Sequence, residues 1–130
     1  MRVTNRSDAT VHLLDGERMP YLLRAEGGGL LVLFGVNPPD PDLDYLGIEI
    51  PPTRPLEPGS ELRHQIALRP LVLRDHYSRE REPLPLHGDV TVRCEVGWGD
   101  SPITPHATSI TGLLEWQRLA RSEPVEVMLG

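Results

Sequence analysis

"DVTVRCEVGW", residues 89–98, alternates apolar and polar side chains along its length. Val90, Val92, Cys94, Val96 and Trp98 fall on one side, and Thr91, Arg93 and Glu95 on the other. A period of two belongs to an extended chain with one face buried, because successive side chains point to opposite sides of a strand. The stretch therefore reads as a half-buried β-strand, with Cys94 inward as a small apolar residue.

The same pattern recurs on both sides of it. In "ELRHQIALR" (61–69), Leu62, His64, Ile66 and Leu68 share one face. "PVEVML" (124–129) sets Val125, Val127 and Leu129 together. "TVHLLDGERMPYLL" (10–23) holds two apolar runs around Asp15-Gly16, a pair suited to a hairpin turn. "PYLLRAEGGGLLVLFG" (20–35) is a second hairpin signal, with Glu26 to Gly29 as its loop. Leu30, Val32 and Phe34 fall on one side of that strand and Leu31 and Leu33 on the other, so both sides should be covered.

Twelve glycines and 14 prolines punctuate these runs, which favours many short strands joined by turns. "SITGLLEWQRLA" (109–120) is ambiguous: Ile110, Leu113 and Leu114 suit a helical stripe that Trp116 breaks. No capping box precedes it, so an irregular strand is preferred, with at most one short helix near 110–120. The expectation is a single all-β domain over 1–130, an antiparallel two-sheet sandwich.

Two motifs carry a resemblance. "VTNRSDATVHLL" (3–14) resembles the opening of bacterial immunoglobulin-like sandwich domains, where an Asn-x-Ser/Thr turn joins a first strand to an aliphatic second one. "PLEPGSELRHQIAL" (55–68) is similar to their Leu-x-Pro-Gly turn before a long alternating strand, as in intracellular proteinase inhibitors of the BsuPI type. The resemblance covers about 26 residues and implies a fold rather than an activity.

Composition narrows the function classes. The net charge is −6, all 13 basic residues are arginine, and acidic residues exceed basic ones in both halves. Six aromatic residues and no basic stripe argue against nucleic-acid binding. No long apolar stretch suits a signal peptide or a membrane span, and a single cysteine suits a cytoplasmic protein.

Candidate chemistry is sparse. Asp40, Asp42 and Asp44 in "DPDLDYLG" have the spacing of the first calcium ligands of a loop, but Tyr45 stands where such a loop needs glycine and Pro51 where it needs a bidentate glutamate. A solvated turn is the preferred reading. Cys94, His106 and Met128 are soft donors, yet they lie too far apart in sequence for a copper loop. The Cys-x-x-His pairing of superoxide reductases is missing too. His64 reads as a structural core histidine. No Gly-x-Ser-x-Gly elbow or phosphate-binding loop occurs. No catalytic residue, metal site or cofactor is therefore expected.

The most distinctive segment is "RPLVLRDHYSREREPLPLHG" (69–88), longer than a simple hairpin connection needs. Arg74, Asp75, His76 and Tyr77 place a cation, an anion, an imidazole and a phenol side by side as a partner-binding set. The expected function is a non-catalytic accessory module that recognises a protein partner, or itself, through this loop or a sheet edge. A metal-dependent enzyme or carrier, and a structural subunit of a larger assembly, are the alternatives.

Overall fold

A computed structural model describes residues 1–42, 48–68, 71–83, 86 and 88–129, with 78–82 and 129 described by backbone alone. In chain order the strands are β1 (Arg2–Thr4), β2 (Val11–Leu14), β3 (Tyr21–Arg24), β4 (Leu30–Phe34), β5 (Thr53–Leu56), β6 (Glu61–Arg63), β7 (Val72–Asp75), β8 (Ser78–Pro83) and β9 (Gly88–Gly99). A short helix, α1 (Ile110–Trp116), precedes β10 (Arg118–Arg121) and β11 (Val125–Leu129).

The architecture hangs on β9. One side of it pairs with β4 over Val92–Val96 and with β2 at Trp98 and Gly99. Its other side pairs with β11 over Gly88–Val92 and with β10 over Glu95–Trp98. Nine strands are linked in this way, and β1 and β6 form a separate two-stranded sheet. Val90, Val92 and Val96 are buried on the face that the alternation assigned to the core, while Cys94 and Trp98 are half-buried beside them. Each fully buried Val or Leu contributes roughly 1.5–3 kcal/mol relative to exposure.

Two hydrophobic clusters lie on opposite faces. Leu13 joins Leu22, Leu30, Val32, Phe34 and the β9 valines, with Val3 of β1 and Leu62 of β6 packed against them. Its neighbour Leu14 points the other way, into a cluster with Val36 and Leu113 that α1 covers. Where α1 crosses, β9 carries glycine. A Cβ at Gly99 would sit 2.1 Å from the Trp116 ring, and one at Gly97 would sit 2.3 Å from Gln117 Oε1. Gln117 works there as a substitute peptide group: its Nε2 donates to Val36 O and its Oε1 accepts from Val36 N, both at 2.9 Å.

The β3–β4 hairpin forms as expected, with Arg24 opposite Leu30. Gly27, Gly28 and Gly29 all take positive φ, a run that only glycine makes at low cost. Other expectations are corrected. The sheet is mixed, because β4 runs parallel to β9 across the connection 35–87. Asp15-Gly16 does not close a hairpin: β2 pairs with β5 and β9, β3 pairs with β4 and β7, and Gly16 has no positive φ. The 61–69 strand is assigned only as far as Arg63, with His64 still exchanging hydrogen bonds with Met1; burial keeps alternating to Leu68 and Ile66 still packs on the core. The ambiguous 109–120 stretch divides into α1 and β10. Ser109 caps α1, its side chain accepting the Gly112 N–H at 3.0 Å, so a capping serine starts the helix without the rest of a capping box.

The two motifs behind the immunoglobulin-like resemblance meet in space at Asn5, which is only 4% exposed. Its Nδ2 donates to Ala9 O and Leu56 O, each at 2.8 Å. Its Oδ1 accepts from Ser7 N at 3.0 Å and Ser7 Oγ at 2.7 Å. Its backbone bonds to Gly59 and Ser60, the turn in which Gly59 has φ +77.

Candidate functional site

The described part of the 69–88 segment is paired rather than an open connection. Val72–Pro83 folds as the β7–β8 hairpin, with Asp75 opposite Ser78 and His76-Tyr77 as its turn. Asp75 Oδ1 accepts the Tyr77 N–H at 2.6 Å, and the Tyr77 hydroxyl donates to Asn37 O. Arg18 reaches the turn from outside, its Nη2 donating to Asp75 O at 2.9 Å and its Nη1 to His76 O at 3.2 Å. Tyr77 also packs on the cluster beneath α1. Arg74 is half-buried, and its Nε has no hydrogen-bond partner among the described residues. Arg79, Glu80, Arg81 and Glu82 lie where only the backbone is described, and His87 lies outside the described residues.

His76 is 6% exposed and fully engaged. Nε2 lies 2.7 Å from Glu49 O, a carbonyl that only accepts, so Nε2 carries the proton. Nδ1 is then the acceptor for the Tyr21 hydroxyl, also at 2.7 Å. Both rings border a cleft of about 350 Å³ with Arg18, Glu49, Ile50 and Pro51. Burial raises the Tyr21 pKa. Burial also lowers that of His76, against the opposing pull of the Glu49 carbonyl, with Arg18, Asp75 and the Glu49 carboxylate acting at longer range.

A pH dependence follows. Unfolded histidine takes up a proton near pH 6.5, whereas folded His76 resists it, so the unfolded chain binds more protons below that point. Stability is full above about pH 6.5 and falls as the pH drops towards the folded pKa. His64, stacked on Phe34 at 4.4 Å and 23°, is shifted downward by burial as well and adds to the slope. Melting scans from about pH 7.5 down to 5 should show a falling Tm. The fall should be shallower in His76→Gln, and equal slopes in both proteins would remove His76 from the linkage.

The other sequence candidates are dispersed. Asp40 Oδ1 accepts the Asp42 N–H at 2.9 Å, and Asp44 lies outside the described residues. Cys94 is half-buried, its thiol pKa pushed up by burial, and its backbone N–H donates to Ser122 Oγ at 3.0 Å. Among the described residues no three His, Cys, Asp or Glu side chains gather as metal ligands would. Nor is any described helix long and apolar enough to cross a membrane.

Sequence reasoning missed the β10–β11 edge. Both strands pair with β9, and Arg118–Arg121 are all exposed. The large hydrophobics that stay exposed among the described residues are Leu119 at 39%, Val125 at 57% and Met128 at 66%, and all lie on this edge. Between Arg121 and Val125 three residues face two on β9, a bulge of one residue around Pro124. Beside the edge is a groove of about 470 Å³ lined by Val11, Val96, Trp98 and Ala120. Arg118 stands at its rim, 3.0 Å from Asp100 and 5.2 Å above the Trp98 ring. An unpaired strand beside an apolar groove offers a ladder of backbone groups and a place for alternate side chains. Comparison with protein-family models, curated proteins and solved structures finds no match for this chain.

Proposed function

We propose that this protein is a non-catalytic interaction module of the cytoplasm that takes a protein partner by strand addition along β10–β11. One observation carries the reading: Leu119, Val125 and Met128 stay exposed on a strand segment whose outer backbone groups have no strand beside them among the described residues. An edge that only had to stay soluble would carry charge at those positions. The domain is read as an immunoglobulin-like two-layer sandwich, supported by Val3 and Leu62 of the two-stranded sheet packing onto the main core. The bonds that His76 makes to Tyr21 and Glu49 favour a structural role for it over a catalytic one.

The test is a proline on the edge. The Leu119 N–H points away from β9, so Leu119→Pro removes a donor from the free side and spares the β9 ladder. Partner retention from a host extract should drop at least about tenfold, equivalent to 1.4 kcal/mol, with little change in Tm. Unchanged retention by the folded variant would place recognition elsewhere.

A further inference from the structure

The edge has a self-complementary pattern. Ser122 N donates to Cys94 O at 2.9 Å, so the even-numbered residues of β9 and β10 aim their backbone groups at each other. The one-residue bulge shifts the count, and in β11 it is Val125 and Val127 that face β9. Leu119, Arg121, Glu126 and Met128 are left with N–H and C=O directed off the edge. Their side chains also share one face of the sheet, the face opposite Val92 and Val96.

We propose that the occupant of this edge is a second copy of the chain, paired antiparallel about a two-fold axis between Glu123 and Pro124. The inference rests on the strand-addition reading and names the partner. Two copies must match outward residues with outward residues and faces with like faces. The register that sets Leu119 opposite Met128 of the second copy also sets Arg121 opposite its Glu126, and symmetry repeats both pairs. Sliding by two residues one way puts Leu119 against Glu126, and the other way puts Arg121 against Met128. Pairing β10 with β10, or β11 with β11, never brings Arg121 to Glu126. One register therefore pairs apolar with apolar and cation with anion.

The charges have room to meet. Arg121 is largely exposed while Nε holds Glu95 at 3.1 Å, and Glu126 accepts from the Thr91 hydroxyl on the same face. Across the axis these become one chain of groups, Thr91–Glu126–Arg121–Glu95, shared by the two copies. Such exposed charge pairs act on register and partner choice more than on affinity. Pro124 sits at the centre, where the bulge has already interrupted the ladder.

Sedimentation velocity on the purified chain should show concentration-dependent growth from 14.5 kDa to twice that mass. Arg121→Glu and Glu126→Arg each set like charges opposite one another twice across the axis and should weaken dimerisation at least tenfold. The two changes in one chain should recover most of that loss, less the repulsion from Glu95 beside residue 121. A cross-link tests register without altering charge. In a Cys94→Ala background, mixing a Leu119→Cys chain with a Met128→Cys chain and oxidising gently should give a disulfide-linked dimer. Neither chain alone should do so. A monomer at all concentrations, or cross-linking as strong within one variant as between them, overturns the proposal. If the chain is monomeric yet Leu119→Pro still abolishes partner retention, only the second-copy occupant falls. If neither effect is seen, the edge reading falls with it.

Discussion

Asn5→Ala should lower the unfolding free energy by about 3 kcal/mol, a large share of the total for a domain of this size. The change removes two donors and an acceptor at a site that is 4% exposed. Ser7 is exposed and recovers hydrogen bonds from water, so little of the loss arises there. Leu56 O loses its buried second bond, the one from Asn5, and keeps its place opposite Val11 in the β2–β5 ladder. Losing the two bonds from Nδ2 costs roughly 1–3 kcal/mol, and the space vacated at this buried site adds to it. Asn5→Asp is the control that keeps the shape. It should be no more stable, since a carboxylate oxygen would then face two carbonyl oxygens. Denaturant unfolding of both variants decides the matter: a stable Asp variant would mean that the donor role of Nδ2 is minor.

Gly29→Ala should destabilise by roughly 4 kcal/mol, whereas Gly28→Ala should cost about 1–2 kcal/mol. Both glycines hold positive φ, +90 and +105, so both substitutions meet backbone strain. Only Gly29 meets an obstacle as well. Its Cβ would lie 2.4 Å from Thr91 O, a main-chain atom of β9 that cannot swing aside, while Gly28 has nothing within 4 Å. The difference between the two variants thus isolates the close approach of the hairpin to β9. Equal melting temperatures would show that the hairpin does not press on β9 there.

What the sequence revealed was local. The alternation in 89–98 and the Glu26–Gly29 loop are properties of consecutive residues, and both survive in β9 and the β3–β4 hairpin. Partner choice is not a local property. Leu14 and Tyr21 flank a sound turn pair, but β2 and β3 join different groups of strands because β9 offers each group a separate length of its edge. The parallel β4–β9 pairing brings together segments some sixty residues apart, and no turn residue announces it.

The surroundings of the Arg74–Tyr77 set were hidden for a related reason. His76 between Asp75 and Tyr77 looks like surface chemistry, and its burial comes from Tyr21 and Glu49, 55 and 27 residues away. The edge was hidden for the opposite reason. "PVEVML" alternates like any half-buried strand, and nothing in it says whether a neighbour covers its outer side. In 109–120 the helix forms with a lone capping serine, Ser109, and with Leu113 fully buried under it, neither of which a capping-box pattern would have flagged.

The placement of β9 has a consequence for the order of events during synthesis. Until residues 88–99 leave the ribosome, β2 with β5 and the β4–β3–β7–β8 group have no strand in common. At about 5–20 residues per second, these two half-sheets wait seconds with apolar faces uncapped by their shared partner. Emergence of β9 joins both groups, and β10 and β11, which follow it in the chain, then clasp its far side. The nascent chain is thus most exposed to aggregation just before its longest strand appears.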